Sequence, residues 1–281
     1  MTTALPTLAV TGSTGAVGGL VARGLAAQKV PQRLLARTVA KVPDLPGCVA
    51  LPFAYSDRAA SALALEGVDT LFMVSAAENA ERLGQHRAFV DAARAAGVRH
   101  IVYTSFIAAA PDATFTLARD HYATEEYIRA SGMDHTFLRD SLYLDFSDAL
   151  VGADGVIRGP AGTGRVAAVA RADVARTAVA VLTDVAAHRN VTYDLTGPEA
   201  LTMAEVARIL TEARGTPVRY HDETLAEAYE SRAPWGAPDW QVDAWVSTYT
   251  AIAAGEMAEV SGDVEAVTGT RPIGLAELLA Q

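Results

Sequence analysis

Three glycines near the N-terminus have the spacing that brings a pyrophosphate close to the protein backbone. Gly12, Gly15 and Gly18 follow an apolar run over 8–10, which predicts a buried strand, and lead into a predicted helix over 16–27. The first glycine permits the tight turn, the second the approach of the phosphates, and the third close packing of the helix. The helix N-terminus adds unpaired N–H groups and a positive dipole. The residues predicted to line this dinucleotide site are Gly12, Ser13, Thr14, Gly15, Ala16 and Val17.

The end of the second predicted strand, which spans residues 32–37, indicates which dinucleotide binds. A site that prefers NAD usually carries a carboxylate about 20 residues after the glycines, where it binds the ribose hydroxyls. This chain has Ala36 and Arg37 there, and Lys41 follows shortly after. Because a guanidinium pairs with a 2′-phosphate that a carboxylate would repel, Arg37 predicts NADP(H). The alternative is an arginine that is simply solvated at the surface.

Composition and charge exclude several classes of function. The net charge of −10 disfavours nucleic acid and anionic membranes as partners, because both require a basic surface. No apolar run is long enough to span a membrane, and we expect a cytoplasmic protein. The single cysteine, Cys48, excludes a disulfide framework, and the six histidines lack the spacing of metal ligands. We therefore predict no metal site.

Strands and helices alternate over the first half of the chain. Further buried strands are predicted at Val49–Pro52, Thr70–Val74, His100–Thr104 and His135–Arg139, with helices at Ala80–Ala96 and Asp120–Ser131 and a long loop over 106–119. Such alternation predicts a Rossmann-type α/β fold, a doubly wound parallel sheet whose cofactor lies at the carboxyl ends of the strands. Ser75 and Ala76 are then expected near the cofactor ribose, and Thr104 and Ser105 near the nicotinamide.

The character of the sequence changes after about residue 140. A glycine-rich stretch over 152–164 predicts loops and a short strand, and Thr202 with Glu205 forms a predicted capping box at the start of a helix. Shorter helices and loops are expected to finish the chain. We predict an NADP-binding Rossmann domain over 1–150. Residues 151–281 are predicted to form mainly a small α/β substrate-binding lobe, with some strands and helices returning to the Rossmann core.

Several motifs together resemble a known family, the NmrA-like atypical short-chain dehydrogenase/reductases. Within it, the chain is most similar to the type 2 NADPH:quinone oxidoreductases and the triphenylmethane dye reductases. The motifs that carry the resemblance are the glycine turn over 11–18, Leu35-Ala36-Arg37, Gln85-His86, the strand over 100–105, His121-Tyr122-Ala123-Thr124-Glu125, Thr136-Phe137-Leu138-Arg139, the segment over 170–175 and the run over 193–197.

The resemblance also shows where this chain departs from the wider superfamily. Ordinary members use a Tyr-x-x-x-Lys pair, in which the lysine lowers the pKa of the tyrosine. Here His121 stands at the place of the tyrosine and Glu125 at the place of the lysine, while Tyr122 is displaced by one residue. The only lysines in the chain are Lys29 and Lys41. The proton relay of alcohol dehydrogenases is therefore expected to be absent, and His121 either donates a hydrogen bond to the substrate or caps its helix.

A second departure lies beside the expected nicotinamide pocket. Family members often have asparagine after the residue that corresponds to Arg139, whereas this chain has Asp140. The resemblance implies that this segment, with Leu142 and Tyr143, borders the nicotinamide and the substrate. The substrate can therefore differ from a simple quinone.

Taken together, the residues predict an NADPH-dependent reductase that transfers a hydride to a quinone-like or other conjugated acceptor. Such acceptors are small planar molecules whose reduction needs little acid assistance, so that proximity and orientation suffice. The catalytic candidates are His121, Tyr122 and Tyr143. Two alternatives stay open: a redox-sensing regulator that binds NADP(H) with little turnover, and a ketone reductase that uses Tyr122. We expect a monomer or a homodimer.

Overall fold

The computed structural model describes residues 5–281, whose strands form one large sheet and two small ones. In chain order the strands are β1 (Leu8–Val10), β2 (Gln32–Ala36), β3 (Cys48–Pro52), β4 (Thr70–Met73), β5 (His100–Phe106), β6 (Asp134–Asp140), β7 (Val156–Gly159), β8 (Arg165–Val166), β9 (Val191–Leu195), β10 (Leu201–Thr202) and β11 (Arg219–Asp222). The large sheet has the order β3-β2-β1-β4-β5-β6-β9, while β10 pairs with β8 and β11 with β7.

Helices connect these strands along the chain. They are α1 (Ala16–Ala27), α2 (Arg58–Leu65), α3 (Arg82–Ala95), α4 (Thr116–Ala130), α5 (Arg171–Thr183), α6 (Met203–Arg214), α7 (Leu225–Arg232), α8 (Asp239–Ala253), α9 (Asp263–Thr268) and α10 (Leu275–Leu279). The capping box predicted for α6 is present, with the Thr202 hydroxyl and the Glu205 carboxylate satisfying each other's backbone N–H groups. Among the described residues, no helix is long and apolar enough to cross a membrane.

The order of the strands defines where a ligand can approach the large sheet. The pairings of β1 with β2 and β4, of β2 with β3, and of β4 with β5 are all parallel. From β1 the chain winds outward to β2 and β3, and then returns to place β4 on the other side of β1. A doubly wound sheet opens a crevice at the carboxyl ends of its strands where the winding reverses. The predicted Rossmann-type fold is confirmed.

The central strands are buried along their whole length. Every residue of β1, β2 and β5 is buried, whereas β3 at the edge of the sheet is partly exposed. Helices on both faces exclude water from a parallel sheet, so buried residues follow one another along these strands instead of alternating with exposed ones. The polar residues Gln32 and Arg33 of β2 are buried as well.

The chain forms two compact units, each with a hydrophobic core of its own. The first, as far as it is described, contains residues 5–105, 122–139 and 174–193, and its core includes Leu71, Phe89 and Phe137. The second contains Phe106–His121, Asp140–Asp173 and Asp194–Gln281, with Phe115, Ile157 and Leu210 in its core. The predicted division of labour between a cofactor domain over 1–150 and a substrate lobe over 151–281 stays a prediction.

Two elements differ from the expected boundaries around the predicted long loop. Strand β5 continues to Phe106 because the backbone N–H of Ile107, the next residue, donates to the carbonyl of Asp140 at the end of β6. Helix α4 begins at Thr116, four residues early, where the Ser247 hydroxyl accepts from the Thr116 N–H. Both extensions depend on partners distant in sequence.

The expectation that shorter helices finish the chain was also wrong, since α8 has 15 residues.

Candidate active site

The glycine turn presents an open cradle in front of helix α1. Gly12 has φ +63°, a left-handed conformation that favours glycine, and its carbonyl accepts from the N–H of Gly15 at 2.8 Å. Gly15 is the N-cap of α1 and provides no side chain to satisfy the first N–H groups of the helix. Thr14, Gly15 and Ala16 are exposed, while Ser13 and Val17 are buried. An exposed, uncapped helix N-terminus next to a bare glycine fits a pyrophosphate.

Gly18 has a different function in this turn. A Cβ atom at this position would lie 2.6 Å from the carbonyl carbon of Gly12 and 2.7 Å from the carbonyl oxygen of Thr11. No side chain can be accommodated without moving backbone. Gly18 therefore lets α1 pack directly against the turn. The Ser13 hydroxyl donates to the carbonyl of Leu35 at 3.3 Å and ties the turn to β2.

Arg37 lies where a residue that binds the 2′-phosphate is expected. It is exposed and follows directly on β2, whose last residue is Ala36. Within residues 5–281 its guanidinium has no hydrogen-bond or ion-pair partner. Arg33 on the same strand is buried instead, and donates to the carbonyls of Pro6, Ala64 and Glu66. The chain thus uses one arginine of β2 to hold the fold and leaves the other exposed.

Side chains from three elements hold the segment after β4 in place. The hydroxyl of Thr11 accepts from the N–H of Val74, and the hydroxyl of Thr104 accepts from the N–H of Ser75, both at 2.8 Å. The Nε2 atom of His86 accepts from the N–H of Ala76 at 2.9 Å. Ser75 and Ala76 therefore have fixed backbones at the carboxyl end of β4. Thr104 lies inside β5 and acts here through its hydroxyl.

His86 is a structural histidine that the sequence analysis quoted only as part of a motif. It is fully buried, and burial, together with the nearby charge of Arg82, lowers its pKa to about 3. The ring is therefore neutral at physiological pH. Because Nε2 accepts from Ala76, the proton is on Nδ1, which lies 2.9 Å from the hydroxyl of Thr124 on α4. His86 thus links the end of β4 to α4.

Glu125, at the place of the superfamily's lysine, is the centre of a buried ion-pair network. Its side chain is 0% exposed. Arg139 donates to both carboxylate oxygens at 2.8 and 2.7 Å, the Ser105 hydroxyl donates at 2.5 Å, and Arg129 lies at 3.4 Å. A bidentate guanidinium is the strongest partner that a carboxylate has in proteins. Glu125 therefore joins α4 to Ser105 of β5 and Arg139 of β6.

The two candidates on α4 have different environments. His121 is buried in the second unit, with its ring centroid 6.0 Å from that of Phe106. Since α4 begins at Thr116, His121 lies in the second turn and is not a capping residue, which removes one of its two interpretations. Tyr122 is half-buried and begins the next segment of the first unit. A catalytic function for either stays a prediction.

Asp140 and Tyr143 form a pair in the second unit. Asp140 is 2% exposed, and its Oδ2 accepts from the Tyr143 hydroxyl at 2.9 Å. Burial raises the pKa of Asp140 to about 8, although the bond from Tyr143 opposes this shift. Burial and the neighbouring Asp140 also raise the pKa of Tyr143 well above its usual value. Arg171 lies over the Tyr143 ring, with 5.1 Å between its guanidinium carbon and the ring centroid.

A cavity in the second unit is bordered by the same segment. It is a small cleft that is partly open to solvent, and its lining is largely apolar. Leu142 and Tyr143, both predicted to border the substrate, line it together with Leu144, Met203 and Leu275. The described residues contain no group of three or more His, Cys, Asp or Glu side chains that could hold a metal ion.

Comparison with known proteins identifies the family. A family model described as NAD(P)H-binding matches residues 12–185, which is more than half of the chain and includes the glycine turn. The chain therefore belongs to the NAD(P)H-binding family. This agrees with the uncapped N-terminus of α1 and with the bare Gly15 beside it.

The individual relatives that the chain matches indicate which class of NAD(P)H-binding protein it is. Quinone oxidoreductase 2 of Escherichia coli K12 is 32% identical over 96% of both chains, and an NAD(P)H azoreductase of Xenophilus azovorans is 34% identical over 92% of both. The structure of triphenylmethane reductase from Citrobacter sp., complexed with NADP(H), superimposes with a TM-score of 0.86 at 33% identity and covers 98% of this chain and 99% of its own. The resemblance inferred from the motifs is confirmed, and the chain is an NAD(P)H-dependent oxidoreductase.

Proposed function

We propose that this chain is an NADPH-preferring reductase that transfers a hydride to a quinone, azo dye or similar conjugated acceptor without a Tyr-x-x-x-Lys relay. The observation that carries the proposal is Glu125, which occupies the lysine position and is bound by Arg139 and Ser105. After Lys41 the chain contains no side-chain amine that could replace that lysine. The names of the relatives, a quinone reductase, an azoreductase and a dye reductase, support the class of acceptor.

The proposed chemistry needs little from the protein beyond positioning. NADPH supplies the hydride when it is bound. The glycine turn and the uncapped α1 hold the pyrophosphate, and the fixed backbone of Ser75 and Ala76 borders the ribose. Leu142 and Tyr143 present an apolar cavity to a planar acceptor. Orientation of this kind contributes roughly 7–11 kcal/mol to lowering a bimolecular barrier.

Steady-state oxidation of NADPH tests the proposal. The protein is assayed with quinones, azo dyes and triphenylmethane dyes, and with simple ketones and aldehydes as the comparison set. We expect turnover with the conjugated acceptors and little with the ketones, whose alkoxides are too basic to form without a strong donor. Tight NADPH binding without turnover of any acceptor would instead identify a sensor.

Arg37→Ala is expected to raise the KM for NADPH and leave that for NADH nearly unchanged. A charge-assisted hydrogen bond to the 2′-phosphate contributes about 1.5–3 kcal/mol, which corresponds to roughly ten- to a hundredfold in KM. Arg94→Ala removes an exposed arginine near the end of α3 and is the matched control. Equal losses with both cofactors would show that Arg37 does not bind the phosphate.

Removal of the α4 candidates is expected to have limited consequences. Tyr122→Phe should retain most of the activity, because no lysine is available to activate a phenol at this position. His121→Ala should lose no more than about 100-fold in kcat, the low end of a general-acid contribution. If Tyr122→Phe is inactive and the wild-type protein reduces ordinary ketones, the function is that of a ketone reductase.

A further inference from the structure

At the position where the family pattern has asparagine, this chain has Asp140, an ionisable residue that is hydrogen-bonded to the hydroxyl of Tyr143. Asp140 ends β6, and its Oδ1 atom is buried with no hydrogen-bond partner among the described residues. Only Oδ2 has a partner, the hydroxyl of Tyr143. A buried carboxylate with one oxygen unpaired is costly, whereas a protonated carboxyl group tolerates this environment.

Tyr143 connects this carboxyl group to the cavity. Its hydroxyl is bonded to Asp140, and Tyr143 is one of the residues that line the apolar cavity of the second unit, next to Leu142 and Leu144. No other residue in the lining of this cavity is hydrogen-bonded to Asp140 through its side chain in the described part of the chain. Tyr143 is therefore positioned to transmit the protonation state of Asp140 to whatever occupies the cavity.

The direction of the hydrogen bond depends on that protonation state. An ionised carboxylate is only an acceptor, so Tyr143 must donate its proton to Asp140. A protonated carboxyl group can donate to the phenol oxygen instead, which leaves the phenol O–H available for another acceptor. Two further charged groups act on Tyr143: Arg171, which lies over its ring, and Asp145, which accepts from the backbone N–H of Arg171.

We propose that Asp140 retains a proton at neutral pH and thereby frees the Tyr143 hydroxyl to donate to the acceptor bound in the cavity, so that reduction slows in alkaline solution. The proposal rests on the proposed function and names a proton source for that reaction. Once the acceptor has received the hydride and is an anion, the O–H bond of Tyr143 breaks and its proton binds the anion. The carboxyl proton of Asp140 moves to the phenolate oxygen, and Asp140 regains a proton from water.

The pH dependence of kcat/KM is the first readout. For the wild-type protein with a quinone, we expect kcat/KM to fall above about pH 8, the pKa of Asp140, and to level off after a total loss of about 10- to 100-fold. Asp140→Asn keeps an N–H donor toward Tyr143 and removes the titration, so its profile should be flat over the same range. Tyr143→Phe should lose about 10- to 100-fold at neutral pH.

The second readout needs neither cofactor nor turnover. The infrared difference spectrum of the protein between about pH 6 and about pH 10 should contain the band of a protonated carboxyl group that ionises near pH 8. This band should be missing in Asp140→Asn and retained in Asp112→Asn, which removes an exposed carboxylate of the same unit. Its absence from the wild-type spectrum overturns the inference.

The outcomes separate the inference from the proposed function. Turnover of quinones with an alkaline decline that persists in Asp140→Asn overturns the inference and leaves the proposed function intact. A carboxyl band in a protein that reduces no conjugated acceptor overturns both the proposed function and the catalytic use of the proton. The band together with a decline that Asp140→Asn removes supports both.

Discussion

Gly15→Val is expected to abolish NADPH binding while the protein remains folded. Gly15 is exposed at the N-terminus of α1, and the first N–H groups of the helix have no side-chain cap. A branched side chain would occupy the space in which the pyrophosphate approaches these groups. Titration calorimetry on the folded variant measures the loss, and we expect no detectable heat of binding.

Two further variants separate binding from folding in this experiment. A Cβ atom at Gly15 would lie 3.2 Å from the Gly12 carbonyl oxygen, so the backbone of the turn must shift by a few tenths of an ångström. The smaller substitution Gly15→Ala should therefore weaken binding without unfolding the protein. Gly262→Val is the matched control, because a Cβ atom there meets nothing within 4 Å. Wild-type affinity in Gly15→Val would mean that the phosphates bind elsewhere.

Glu125→Gln is expected to destabilise the protein by about 3 kcal/mol. Removing one partner of a buried ion pair costs about 3–5 kcal/mol, and the lower end applies because water can reach part of the Arg139 side chain, which is 22% exposed. The amide of Gln keeps one acceptor oxygen, but it carries no charge and turns an NH2 donor toward one of the two guanidinium nitrogens that contact Glu125 at 2.8 and 2.7 Å. Urea denaturation with linear extrapolation measures the free energy of unfolding.

The neighbouring residue provides the control for this substitution. Glu126 also pairs with Arg129, at 2.5 Å, but its side chain is 50% exposed. Pairs of this kind contribute about 0.3–0.5 kcal/mol, so Glu126→Gln should hardly change the free energy of unfolding. Similar losses from the two substitutions would show that Glu125 is not the centre of a buried network.

The features that could be predicted from the sequence are those encoded over a few consecutive residues. The glycine turn, the uncapped α1 and the position of Arg37 depend on local spacing, and β1 is a short apolar run because both faces of the sheet are covered. The capping box of α6 is likewise a local pattern of four residues. Each of these features is determined by residues that are close to it in the sequence.

The features that could not be predicted depend on partners far away in the sequence. The hydrogen bond from the Thr116 N–H to the Ser247 hydroxyl accompanies the early start of α4. Because α4 starts earlier than predicted, His121 lies in its second turn and not in its first. The spacing from His121 identifies Glu125 as the residue in the lysine position, but Ser105 and Arg139, which determine its function, come from β5 and β6. The burial of Asp140 cannot be inferred from the sequence, which shows only that this chain has aspartate where family members often have asparagine.

The central claim, direct hydride transfer to a conjugated acceptor, is tested most directly with NADPH in which both hydrogens on the reactive carbon of the nicotinamide are replaced by deuterium. With a triphenylmethane dye as the acceptor, the transferred atom forms a carbon–hydrogen bond that does not exchange with water. Mass spectrometry of the reduced dye should detect one deuterium at its central carbon, together with a slower rate than with unlabelled NADPH. A reduced dye without deuterium, or an NADPH-bound protein that leaves the dye unreduced, would contradict the account.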